Sequence, residues 1–210
     1  MRPRVLLSLL CLLATPLAAD EVKRTIDDIP TQGHRLLGIH LPVGNVLLEP
    51  GDGDDIALAM AVNCSSSSSS CRKKAEELDI ITHNQADRLL LKIGGLTQGK
   101  IAGLTIDLHL RVPRAMAVEM NIGTGNVAVR YFAQDLEVDV GVGDVEATLS
   151  RTAVQSLELD TGIGSIRLDL EDQTLRGAGL VGSHLDWSQG QAGGAVEVDC
   201  GVGDIDITLH

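Results

Sequence analysis

Aromatic side chains are nearly absent: Tyr131, Phe132 and Trp187 are the three among 210 residues. So few rings argue against recognition by stacking on bases or sugars, which uses exposed aromatic platforms. Positive charge is also scarce, with 17 Lys and Arg against 29 Asp and Glu. No basic patch is large enough to attract nucleic acid or an anionic membrane. The one basic cluster, Arg72-Lys73-Lys74, is followed directly by Glu76, Glu77 and Asp79 and reads as a solvated loop or short helix. After the first nineteen residues no long apolar run occurs, so no membrane-spanning segment is expected in the mature chain.

Those nineteen residues read as a secretory signal. Arg2 and Arg4 form a charged start, "VLLSLLCLLA" is a short apolar stretch, and "TPLAAD" offers a cut after Ala19. Cys11 lacks the small preceding residue of a lipoprotein signal, so no lipid anchor is expected. Removing Arg2 and Arg4 takes the formal charge from −12 to −14, two positive charges fewer. Residues 20–210 are then long enough for a single domain with a sizeable core. Export to the periplasm or cell surface permits a disulfide, and Cys64 and Cys71, which bracket "SSSSSS", are the natural pair.

What the chain has is a repeat. "VEMNIGTGNVAVRY" (118–131), "LEVDVGVGDVEATL" (136–149), "LELDTGIGSIRLDL" (157–170) and "VEVDCGVGDIDITL" (196–209) align on the glycine pairs Gly123/Gly125, Gly141/Gly143, Gly162/Gly164 and Gly201/Gly203, which are expected to form equivalent structural turns. The steps between second glycines are 18, 21 and 39, and the last equals the first two together. A degenerate fifth copy is therefore expected near Gly182, so that five units tile residues 118–209. Strict two-residue alternation flanks each pair, as in Leu136/Val138/Val140 before and Val145/Ala147/Leu149 after. Each unit thus predicts strand, glycine turn, strand, with one face buried against its neighbours. Cys200 falls in the inward slot held by Ile122, Val140 and Thr161 in the other copies, which assigns it to packing rather than reactivity. Residues 20–117 read as less regular strands with a half-motif at Gly44-Asn45-Val46.

The fold class is all-β, either a right-handed β-helix-like solenoid or a flattened two-sheet stack of units about twenty residues long. From the order of signal segment, Gly44-Asn45-Val46, Arg111-Val112-Pro113 and repeated G-x-G-[DNS]-[VI] units over residues 35–210, the chain resembles the bacterial "putative adhesin" or toast-rack families. The resemblance implies an exported β-repeat protein of the cell envelope and brings no catalytic residues or cofactor with it.

Three features of the sequence could carry chemistry. The glycine pairs are followed by strands, not by the helix that a phosphate-cradling loop needs. Asp139/Asp144 and Asp199/Asp204 flank their glycines identically and could form a calcium ladder, but Asn121/Asn126 and Asp160/Ser165 dilute it, and turn chemistry explains these residue types. His184, Asp186 and Ser188 share one face of an extended strand and so do not converge as a triad would. The register of the degenerate unit places that face inward, and a one-residue bulge is expected to return Leu185 and Trp187 to the core; without it Trp187 becomes a candidate contact residue. A non-enzymatic binding or scaffolding module is expected, with an envelope protein or glycan as partner. The alternatives are a polysaccharide-binding or polysaccharide-active β-helix and a calcium-stabilised solenoid. The last strand, "DIDITL", is expected to leave an uncapped edge open to another chain.

Overall fold

The computed structural model describes residues 20–65, 69–96, 103–179, 181–189 and 193–210; the segment read as a secretory signal and Ser66 to Ser68 of the serine run lie outside these. The strands are β1 (Asp20–Pro30), β2 (Leu36–Val43), β3 (Asn45–Gly51), β4 (Asp55–Cys64), β5 (Asp79–Asn84), β6 (Leu89–Gly94), β7 (Leu104–Pro113), β8 (Ala117–Thr124) and β9 (Val127–Arg130). They continue as β10 (Leu136–Val142), β11 (Val145–Leu149), β12 (Val154–Ile163), β13 (Ile166–Asp169), β14 (Thr174–Arg176), β15 (Ser183–Ser188), β16 (Gly194–Val202) and β17 (Ile205–Leu209). An α-helix, α1 (Ser69–Glu77), covers most of the segment read as loop or short helix.

Two facing sheets hold all of these strands, in the orders β1-β4-β7-β3-β9-β11-β17-β13-β14 and β15-β12-β16-β10-β8-β2-β6-β5. The fold is the flattened two-sheet stack. Its body is five layers, each a strand in one sheet, a glycine corner and a strand in the other: β2/β3, β8/β9, β10/β11, β16/β17 and β12/β13. Every neighbouring pair of layers is parallel and in register, so aliphatic side chains stack in rows. Leu41, Ile122, Val140, Cys200 and Thr161 form one inner row, and Val46, Val127, Val145, Ile205 and Ile166 form the facing one. All ten are buried.

Two expectations are corrected here. The fifth layer is built on Gly44, not Gly182, because β15 runs antiparallel to β12 and so cannot be a copy of the parallel unit. The layers also do not stack in chain order: β16/β17 inserts between β10/β11 and β12/β13. The strand "DIDITL" is therefore paired on both sides, by β11 and β13, and is not an open edge. Alternation dictates which face a strand buries and leaves open which equivalent strand it joins.

The corner explains the glycines. The N–H of Gly44, Gly125, Gly143 and Gly203 donates to the carbonyl of Thr124, Val142, Val202 and Ile163 respectively, each at 2.9 Å in the adjacent layer. The second glycine of each pair holds φ between 145° and 154°. The residue after it closes a second ladder: Asn126 N–H donates to Asn45 Oδ1 (3.0 Å), Asp144 N–H to Asn126 Oδ1 (3.0 Å), Asp204 N–H to Asp144 Oδ1 (2.9 Å) and Ser165 N–H to Asp204 Oδ1 (2.7 Å). Hence the restriction to Asn, Asp and Ser at this position: a short side chain must carry an acceptor to the next layer. At one end Asn45 Nδ2 donates to Asp107 (2.7 Å), whose other oxygen accepts from Asn63 (2.8 Å).

The four corners share one backbone geometry and differ in exposure. Gly123, Gly141, Gly162 and Gly201 lie within strands β8, β10, β12 and β16, so the turn itself begins at the second glycine. Gly164 turns its corner like the other second glycines but is exposed, whereas Gly125, Gly143 and Gly203 are half-buried. The physical reason is its place in the stack. β12/β13 is the last parallel layer, and beyond it comes antiparallel β15, whose Ser183 hydroxyl donates to the Gly164 carbonyl at 3.4 Å in place of a further corner. On its inner side Gly164 keeps the corner geometry, with φ 154° and a Cβ position only 1.8 Å from the Gly203 carbonyl oxygen.

Cys64 and Cys71 are disulfide-bonded, tying β4 to α1, whose Ala75 is buried. The sequence separation is 7, so loop-closure entropy predicts a contribution of about 2.5 kcal/mol. Reduction, or Cys64→Ser with Cys71→Ser, should lower the denaturation midpoint accordingly; a midpoint indifferent to reductant would contradict this.

Candidate functional site

Three surfaces gather polar chemistry. On the outer face of the second sheet, register places Glu119, Glu137, Glu197, Glu158 and Asp186 in one row across β8, β10, β16, β12 and β15. Asn121, Asp139, Asp199, Asp160 and His184 form the next. These eight carboxylates lie side by side at strand spacing, about 4.8 Å, rather than converging on a point. Burial, followed by the neighbouring carboxylates, raises the pKa of Glu197 and of Asp199 above the ordinary carboxylate value.

The sign follows from linkage. Because the folded state holds these protons more tightly than the unfolded chain, the penalty is absent below the ordinary carboxylate range and grows as pH rises through it. Glu197→Gln should therefore stabilise the protein by about 0.5 kcal/mol at neutral pH, the scale of a like-charge cross-strand pair, and by nothing in acid. Equal effects at both pH values in urea titrations would refute an origin in the ionised carboxylate.

At the edge of this face His184 Nδ1 lies 2.9 Å from Asp160 Oδ1 and its Nε2 2.9 Å from Asp186 Oδ2. The hydrogen bond with Asp186, then that with Asp160, raises the imidazole pKa above its ordinary value. Both ring nitrogens are thus engaged by carboxylates, which favours imidazolium. This contribution to stability is full below the unfolded histidine pKa and is lost as pH rises through the folded one. Ser188 takes no part in the group, so His184, Asp186 and Ser188 form a salt-bridged strand rather than a nucleophile and base.

The β12–β15 register runs unbroken from Ser156↔Ser188 to Thr161↔Ser183, so the expected bulge is absent. Leu185 is nonetheless buried, because antiparallel pairing sets it beside Leu159. Trp187 pairs with Leu157 and is half-buried, packed against the core. Cys200 is buried, and its thiol donates to the Gly143 carbonyl at 3.1 Å, while the Thr161 hydroxyl donates to Gly203 at 3.0 Å. Burial pushes the Cys200 thiol pKa up, so it is held as a neutral packing group.

The second surface is a groove of about 550 Å³ on the outer face of the first sheet, floored by Leu47, Ala59, Ala61 and Ala128. The third lies beside it, where Glu49 meets His109 (2.8 Å), Arg111 (3.7 Å) and Arg130 (3.7 Å). The His109 hydrogen bond, with Arg111 and Arg130, holds the Glu49 carboxyl below its ordinary value. Tyr131 is exposed next to this cluster, with a left-handed φ of 54° and its N–H donating to the Thr148 carbonyl. Sequence reasoning counted Tyr131 among the few aromatics but assigned it no role; its place at the end of a repeat unit was the available signal. Among the described residues no three His, Cys, Asp or Glu side chains are grouped so as to hold a metal ion, and no helix is long and apolar enough to cross a membrane.

Five in-register layers behind a Gly-Asn-Val corner describe a family as well as a fold. The family model described as the N-terminal domain of toast_rack matches residues 23–169. The chain belongs to the toast-rack family. A crystal structure described as a "putative cell adhesion protein" from Clostridium sporogenes shares the fold of this toast-rack chain, with a TM-score of 0.55 at 15% identity over 90% of this chain and 99% of that one. A "putative adhesin" from Bacteroides fragilis aligns over 88% and 97% of the two chains at 9% identity, with a TM-score of 0.28. No curated protein matches the chain.

Proposed function

We propose that this toast-rack protein is an exported, non-enzymatic β-repeat module that binds or scaffolds a partner in the cell envelope. The observation that carries the reading is repetition. The layers present the same residue types at strand spacing along flat faces, a geometry suited to a long contact and ill suited to converging acid, base and nucleophile on one atom. The Cys64–Cys71 disulfide supports an oxidising compartment. The likeness of fold to a protein described as a cell adhesion protein supports binding as the activity. Crosslinking in envelope fractions should recover a partner with this chain and not with an unrelated exported control. Equal recovery from both would remove the reading.

A glycan partner is the second reading, and Tyr131 favours it. An exposed ring next to Glu49, Arg111 and Arg130 offers an apolar platform beside planar polar groups. A panel of neutral and acidic glycans should then show binding that Tyr131→Ala abolishes; no binding across the panel would exclude it.

A further inference from the structure

The residue before the turning glycine of each corner is exposed, and in four of the five corners it is valine or isoleucine. Register stacks Val43, Thr124, Val142, Val202 and Ile163 in one line across the five layers. The four aliphatic members are 44%, 49%, 42% and 62% exposed, for Val43, Val142, Val202 and Ile163. Past Ile163, Gly182 N–H donates to the Gly162 carbonyl, and the adjacent Val181 is 80% exposed. With glycine on both sides of most members, no neighbouring Cβ shields them, and the line stands out as a rib. Four intervals of about 4.8 Å make it roughly 19 Å long. Scattered apolar residues on a surface need no explanation; here Val142, Val202 and Ile163 are contiguous, with Thr124 between them and Val43, and such a row marks a contact.

Carboxylates border the rib on both sides. Asp139, Asp199 and Asp160 lie along the second sheet, and Asp144 and Asp204 lie on the far side of the corner. Ser165 donates to Asp204 through its N–H (2.7 Å) and hydroxyl (2.9 Å), which favours the ionised carboxylate. A second copy docked rib to rib would bring carboxylate rows against each other, and an anionic lipid surface would meet the same repulsion.

We propose that this rib is the docking surface for an amphipathic protein segment whose line of apolar side chains is flanked by lysine or arginine. The inference rests on the binding-module reading and gives it a surface and a partner chemistry. Apolar contact along the rib supplies affinity, and the acidic borders select for cations and set the register.

Fluorescence anisotropy with three labelled twelve-residue peptides tests it: alternating Val–Lys, alternating Val–Glu and alternating Ser–Lys. The protein is expected to bind Val–Lys at least tenfold more tightly than either of the others. The triple variant Val142→Thr, Val202→Thr, Ile163→Thr should lose at least tenfold of that affinity with an unchanged melting temperature, since Thr124 already occupies this position in its own layer. Asp139→Asn with Asp199→Asn should weaken Val–Lys binding as well, independently of the threonine variant. Equal binding of Ser–Lys, equal binding of Val–Glu, or full affinity in the triple variant would overturn the proposal. So would self-association in sedimentation velocity, or flotation with phosphatidylcholine vesicles, that the triple variant abolishes. If an envelope partner is crosslinked equally by the wild type and the triple variant, the rib is wrong while the binding-module reading stands.

Discussion

Gly143→Ala is expected to cost about 3 kcal/mol or more, a sum of backbone strain and steric conflict, and to lower the melting temperature by about 6 to 12 °C. Gly143 holds φ 145°, a region closed to side-chain-bearing residues. A Cβ built there would lie 2.0 Å from the Gly125 carbonyl oxygen of the next layer. That oxygen belongs to backbone locked in the corner ladder and cannot step aside without parting two layers. Gly182→Ala is the control: its φ is 74°, but nothing lies within 4 Å of its Cβ position, so only local strain of about 1 kcal/mol is incurred. Differential scanning calorimetry of the two variants checks the claim, and equal losses would show that the layers do not approach as closely as described.

Truncation after residue 193 should be more damaging than any substitution. In a solenoid stacked in chain order, removing the last unit leaves the rest in place. Here the segment removed is β16/β17, which lies between β10/β11 and β12/β13. It takes with it the buried side chains Val196, Val198, Cys200, Ile205, Ile207 and Leu209. At about 1.5 to 3 kcal/mol each, the loss is on the order of 10 kcal/mol, the size of a typical protein's whole stability. The truncated chain should therefore show no cooperative thermal transition by circular dichroism. A sharp transition near the wild-type temperature would mean that β12/β13 docks directly on β10/β11.

The inward slot of Cys200, the Cys64–Cys71 pairing and the face buried by the strands of the four repeat units were all legible in the sequence, because each follows from local spacing or from a residue type with few alternatives. The stacking order was not. Val140 pairs as well with Ile122 as with Cys200, and the alternation around it carries no preference between them. For the same reason the exposure of Gly164 could not be read from a motif that matches its half-buried counterparts, since it depends on which layer ends the stack. Gly182 sat at the arithmetically expected position yet opens an antiparallel strand, because spacing along the chain records the length of a connection and not its direction. Gly44, read as half a motif, completes a layer because its partner strands β2 and β3 carry the alternation in less regular form. The rib was visible as a valine or isoleucine between glycines, and its exposure became apparent once the turn was placed at the outside of the stack.

The inserted layer also governs the order in which the protein can be assembled. A ribosome delivers β12 and β13 well before β16 and β17, yet the parallel neighbour of Thr161 is Cys200, and Val140 waits for the same residue. Until that segment arrives, the nascent protein carries two facing gaps with unpaired backbone on both sides, the condition under which strands join foreign partners. Closure then requires pairings 39 and 60 residues apart along the chain, as between Ser165 and Asp204 and between Asp144 and Asp204, which makes it slow. Folding of this protein is thus timed by one late-made segment, and the interval before its arrival is when a chaperone would have most to hold.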